Sequence, residues 1–316
     1  MSEASSFSTR SMGSPLRLQV TGSTMAGVAP ADGLWAQAVD EFRVVDAELS
    51  CYRSDSLLGR LNGSAGSDTW FVASDRLYGF LALADRARRQ TRGRFDPRVL
   101  PALVRLGHPG LIAPAERPAT GESGGPGSRT TWLFRDPRRR RVRLRSAVDS
   151  GGLGKGLALR WAGRRLAPQL AGRGALLEAG GDIAAWGSAP DGHPWQVGVE
   201  DPGGTDEPLA VVSLGDGAIS TSSIARQHWV APDGRPAHHL IDPLTGEPGG
   251  DGLAAVTVAT SDPAWAEVWS KALFLEGARR IGDEARRRGL AAWWVEADGT
   301  LRMTPSARLR TIWSAR

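Results

Sequence analysis

Four glycines fall within the six residues Gly151-Gly152-Leu153-Gly154-Lys155-Gly156, and no other stretch of the chain restricts its fold as much. The segment Arg141 to Val148 predicts a strand running into it, and Leu157, Trp161 and Leu166 on one face predict a helix leaving it as far as about Leu170. A strand that ends in glycines and restarts as a helix leaves backbone N–H groups uncovered where the helix dipole favours an anion. The spacing is not that of a P-loop, which needs Ser or Thr after the lysine where this chain has Gly156. Nor is it a dinucleotide fingerprint, because only Lys155 separates Gly154 from Gly156. Taken alone, the segment reads equally as a tight strand-to-helix turn or as a cradle for a phosphate-bearing ligand.

The cations tilt that balance. Of 39 Lys plus Arg, lysine stands only at Lys155 and Lys271. A lysine kept in so arginine-biased a chain points to a site that wants a compact ammonium. The net charge of +5 and a pI near 10.2 raise the question of nucleic acid. The main basic run, Arg138 to Arg141 with Arg143 and Arg145, alternates with Val142 and Leu144, so it reads as a strand with a solvated arginine face. The expectation is no nucleic-acid partner, with the excess charge steering an anionic ligand.

At 316 residues the chain suits one large or two modest domains. Its longest apolar runs, around Val211 and Trp293, are too short to span a bilayer, so no membrane insertion is expected. Residues 1–11 are polar and Ser-rich, with no apolar core or cleavage site of a signal peptide, and are expected to be flexible. The single cysteine, Cys51, excludes an intramolecular disulfide and a Cys-rich zinc site, and a cytoplasmic location follows most simply.

Along the chain, Leu16 to Val20 alternates as a half-buried strand, and Leu34, Trp35, Ala38, Val39, Phe42, Val45 and Leu49 recur at helical spacing. A second long helix starts at the N-cap Ser74 and ends near Thr91. Gly107 to Arg129 reads as a flexible excursion, and Thr131 to Phe134 pairs with the Arg141 strand through Asp136-Pro137. Ala175 to Ala179, Trp195 to Val199 and Ala254 to Ala259 read as strands. Pro263 opens a helix, and Trp293 to Met303 closes the chain as a hairpin. His238 and His239 fall on opposite faces of an extended segment, so they are poor joint metal ligands, but one of them suits a base or phosphate donor. His108, His193 and His228 sit alone and suit surface or packing roles.

Seven segments in order resemble the ApbE family of FAD:protein FMN transferases. They are Met12-Gly13-Ser14, Ser50 to Asn62, Gly93 to Pro97, Asp149 to Gly156, Gly180-Gly181-Asp182, Thr221-Ser222 and His239 to Gly246. The resemblance covers roughly Met12 to Thr304. It implies an α+β, T-fold-like, two-lobed single catalytic unit over residues 12–316, with mixed or antiparallel sheets flanked by helices. It also implies FAD as substrate with Mg2+, an acceptor flavoprotein carrying a target threonine, and release of AMP; the alternatives are hydrolysis of FAD to FMN and AMP, as in some relatives, or FAD binding without catalysis. Carried over by position, Met12 and Tyr52 would flank the isoalloxazine ring. Asn62, Asp96, Asp149, Gly151, Gly152, Lys155, Glu178, Gly181, Asp182, Thr221 and Ser222 would line the flavin and pyrophosphate site. His239 and Asp242 would lie near the reacting phosphate, with Lys155, as the catalytic set.

This chain departs from the family's pattern at several of those points. Gly154 replaces the usual alanine, Arg98 a threonine and Ser223 a glycine. The family's metal helix offers Asp and, four residues later, Thr, where this chain has Glu267 and Lys271. Their spacing permits an ordinary salt bridge. By position in the resemblance, the Lys271 ammonium is expected near the pyrophosphate, supplying part of the charge of magnesium, with Glu267 either orienting that lysine or, with the Gly154 carbonyl and phosphate oxygens, binding a more weakly held ion.

Overall fold

The computed structural model describes residues 4–22, 28–111 and 131–315. Most of the Gly107 to Arg129 excursion therefore lies outside the described residues.

Eight strands form one sheet whose spatial order follows the chain: Ala4–Ser11, Ser14–Thr21, Ala175–Ala179, Asp182–Trp186, Gly217–Ser223, Leu253–Thr260, Ala291–Glu296 and Leu301–Met303. Every neighbouring pair is antiparallel, so the sheet is not mixed. The helices are inserted between hairpins instead of bridging parallel strands, which makes the class α+β. The polar start expected to be flexible is the sheet's first strand from Ala4 onward, because its backbone pairs with Ser14–Thr21 from Ala4↔Thr21 to Ser11↔Ser14. Serines do not announce an edge strand, since only its inner face needs covering.

The helices Ala31–Leu49, Asp75–Gln90, Gly154–Leu166 and Pro263–Phe274 share one core with Leu16, Leu18, Leu177, Val256 and Val258 of the sheet. Ser74 caps the second of these, accepting from the Leu77 N–H at 3.1 Å, and Asp262 caps the fourth. The opposite sheet face carries Leu176, Ile219, Ala259 and Trp293. A three-stranded sheet of Trp195–Val199, Ala210–Leu214 and Thr311–Ser314 covers it. The chain therefore ends in that layer, beyond the predicted closing hairpin. In the hairpin of Leu133–Asp136 and Arg141–Leu144, Val142 and Leu144 are buried. Arg141 and Arg143 lie half-buried against Asp136 and Asp68, as an arginine-faced strand requires. No helix among the described residues is long and apolar enough to cross a membrane.

Candidate active site

The glycine loop is pinned on its entering side by side chains from elsewhere. The strand expected to reach Val148 ends at Leu144, and the backbone beyond it is held by Asn62, whose amide donates to the Val148 carbonyl and accepts the Val148 N–H, both at 2.9 Å. The Asp149 N–H donates to the Pro97 carbonyl at 2.6 Å, and its carboxylate accepts from the Cys51 thiol at 3.2 Å. Burial, with Asp149 next to it, pushes that thiol's pKa up, so Cys51 stays a neutral donor. Ser150 donates to the Leu49 carbonyl at 2.6 Å.

The helix after the loop begins at Gly154, earlier than its apolar face suggested, and has no side-chain cap. Gly156 is required by packing. A Cβ there would lie 2.6 Å from the Pro263 carbonyl oxygen and 2.7 Å from Ala264 Cα. That close approach lets the Gly156 N–H donate to Glu267 Oε2 at 2.7 Å. Burial, reinforced by Asp182, raises Glu267 to about 7.

Lys155 points across to Asp182, whose other carboxylate oxygen accepts from the Ser220 hydroxyl. Burial opposes the Lys155 charge, but Asp182 and Glu267 outweigh it and the lysine pKa is raised. Two two-residue turns wall this pair. Met12-Gly13 has φ of 48° and 73°, and Gly180-Gly181 has φ of 61° and 91°, the left-handed geometry of tight hairpins. A methionine in that conformation is strained, of order 1 kcal/mol, and its methyl lies 3.5 Å from where a Gly154 Cβ would be. The turns touch, since the Gly180 N–H donates to the Pro15 carbonyl at 2.9 Å.

Lys271 lies on the other side of the loop and makes no ion pair among the described residues. Its ammonium interacts electrostatically with His239, which burial and then this lysine push down to about 3. The His239 ring Nδ1 is 3.4 Å from the Gln227 carbonyl. A carbonyl only accepts, so Nδ1 carries the proton and Nε2 keeps a free lone pair. His238 turns the other way, accepting the Leu240 N–H at 3.3 Å and meeting Phe274 edge-on. An aromatic row of Tyr52, His108 and Trp229 runs beside the loop, with ring centroids 6.0 and 4.8 Å apart.

Residues 12–294 match the sequence pattern of the ApbE family. The chain belongs to the ApbE family. It is similar to the FAD:protein FMN transferase of Treponema pallidum, 32% identical over 256 residues, covering 72% of this chain and 67% of that one. It is also similar to the FAD:protein FMN transferase of Haemophilus influenzae, 28% identical over 263 residues, covering 79% and 75%. The flavinyl transferase ApbE of Pseudomonas stutzeri, solved in its apo form, superposes with a TM-score of 0.81 at 26% identity, covering 99% of this chain and 98% of that one.

Within this ApbE fold the residues singled out by motif separate into groups. Asp149, Gly151, Gly152, Gly154, Lys155, Asp182, Ser222, Glu267 and Lys271 gather on the helix-covered side of the sheet around the loop; Ser222 shares a hydrogen bond with Ser270 at 2.9 Å. Met12 and Gly181 sit in the two turns. Glu178 and Thr221 point to the other sheet face, Glu178 to Arg17 and Thr221 to Thr257 across the strand pair at 2.8 Å. Asn62 is a positioning residue, its amide consumed by Val148. Asp96 is buried and bonded by Arg98 and Arg88, so the arginine in the family's threonine position neutralises the acid beside it. Asp242 accepts from Leu244 N–H at 2.8 Å and from Arg94 at 3.3 Å, which makes it a turn-former rather than a partner of His239. No Glu267–Lys271 salt bridge forms within contact distance, although the two charges interact electrostatically; Glu267 Oε2 accepts the Gly156 N–H instead. His108, read as a surface or packing residue, packs between Tyr52 and Trp229, whereas the contact of Cys51 with Asp149 carries no local sequence signal. Among the described residues no three His, Cys, Asp or Glu group as metal ligands.

Proposed function

We propose that this chain transfers the FMN half of FAD to a threonine hydroxyl of an acceptor flavoprotein and releases AMP. The observation that carries the reading is the meeting at one glycine loop of two lysines, the buried carboxylates of Asp149, Asp182 and Glu267, and a neutral imidazole. Phosphoryl transfer asks a protein mainly for positioning and charge neutralisation, and those groups supply both. In this reading the threonine oxygen attacks the phosphorus of the FMN half, and the bond from that phosphorus to the bridging oxygen breaks. AMP leaves with that oxygen, and the hydroxyl proton passes to His239 Nε2, whose basicity the negative charge of a bound diphosphate would raise against the opposing effect of Lys271. Tyr52, 45% exposed beside the loop, and Met12 offer the flavin ring an aromatic face and a thioether.

Magnesium is usually held by one or two carboxylates together with substrate phosphates, and Glu267 with the Gly154 carbonyl fits that pattern. When bound, the ion would neutralise phosphate charge. A cytoplasmic setting suits a chain whose one cysteine is buried and reduced.

The test is intact-mass spectrometry of candidate flavoproteins bearing an Asp-Gly-x-Thr-Ser-Ala-Thr-like segment, incubated with the pure protein, FAD and magnesium. Transfer predicts an acceptor heavier by one FMN unit and an equal amount of AMP. AMP and free FMN with an unlabelled acceptor would instead mean that water is the nucleophile, and unchanged FAD would mean a binding protein without catalysis.

A further inference from the structure

Lys271 is built into the loop rather than hung beside it. A Cβ on Gly152 would meet Lys271 Nζ at 2.5 Å and its Cδ and Cε at 3.0 Å, so the lysine stem lies flat on the glycine backbone. A side chain at position 152 would push the lysine's end off this backbone. The acid one helical turn earlier, Glu267, makes no ion-pair contact with it; its Oε2 accepts the Gly156 N–H, and its charge acts electrostatically on Lys155 first and on Lys271 less. The ammonium is thus held at the loop, in reach of His239, with its donors unspent among the described residues.

We propose that Lys271 binds the diphosphate of the flavin dinucleotide directly, as a built-in cation over Gly152, so that this chain holds FAD without a divalent ion. The proposal rests on the flavin-dinucleotide reading above and adds a residue-specific ligand contact to it. An ammonium carries half the charge of magnesium but offers three donors, and its stem is already immobilised on Gly152. Losing one charge-assisted hydrogen-bonding group from a diphosphate costs about 10- to 100-fold in affinity.

Calorimetric titration of FAD, and of ADP as a probe without the flavin, into wild-type, Lys271→Met and Lys271→Arg proteins tests this, with EDTA or with magnesium. Wild type is expected to bind both ligands in EDTA. Lys271→Met loses about 10- to 100-fold there and recovers in magnesium, whereas Lys271→Arg keeps chelator-resistant binding. Wild-type binding that collapses in EDTA, or a Lys271→Met protein equal to wild type in EDTA, overturns the proposal while leaving the transferase reading standing. FAD unbound by wild type in either buffer overturns both. The wild-type comparison needs no variant and so decides the matter even if a substitution prevents folding.

Discussion

The two lysines of this chain flank one glycine loop and are treated oppositely by it. Lys155 is locked onto Asp182, which is 2% exposed and also bonded by Ser220, so its charge is satisfied within the protein. Lys271 rests on Gly152 with no acid in ion-pair contact among the described residues, and Glu267 acts on it only electrostatically. Both stand beside the same backbone, yet one is a structural charge and the other an available one. The difference shows that a cation's role is set by whether an acid lies within contact of its ammonium, not by its distance from a motif.

Substitution of each lysine should separate these roles. Lys155→Met leaves Asp182 buried without its counter-charge and is expected to cost about 3 kcal/mol in urea denaturation at pH 7. Lys271→Met should change stability by less than about 0.5 kcal/mol. Equal losses would abolish the distinction.

The glycines beneath them sharpen it further. Gly156→Ala drives a methyl into the backbone of Pro263 and Ala264 and should cost about 1–3 kcal/mol. Gly152→Ala meets only the lysine side chain, so its effect should fall on ligand affinity instead, with stability changed by less than about 1 kcal/mol. A destabilised Gly152→Ala protein with unchanged FAD affinity would mean that Lys271 is mere packing.

A further contrast concerns Glu267, the acid that interacts electrostatically with both lysines. Its folded pKa of about 7 lies above the ordinary 4.5, so folding favours the protonated form. The penalty is absent below pH 4.5, grows as pH rises toward 7 and is complete above it. Glu267→Gln should therefore stabilise the ligand-free protein by about 1–2 kcal/mol at pH 8 and leave it unchanged at pH 4. Melting curves at the two pH values in EDTA check this; a gain that is the same at both would place its origin in packing.

Much of this molecule is legible in its sequence. Helical spacing located the Ala31–Leu49 and Asp75–Gln90 helices with their buried residues, and Ser74 and Asp262-Pro263 marked helix starts. These signals are local, since periodicity and caps are properties of a few adjacent residues. The serine-rich first strand escaped because an edge strand is made by pairing rather than by apolar pattern. The motif order identified the family, and the structure gathered most of its loop residues on one side of the sheet. What only the tertiary structure decided is which face a residue serves and which distant charges meet. The large sheet is covered on both faces, so alternation along Gly217–Ser223 separates Ser220 and Ser222 from Thr221 without saying which set faces the loop. Likewise, nothing near Asp242 in sequence foretells Arg94, and nothing near Gly152 foretells Lys271, because those contacts exist only once separate helices and turns have packed.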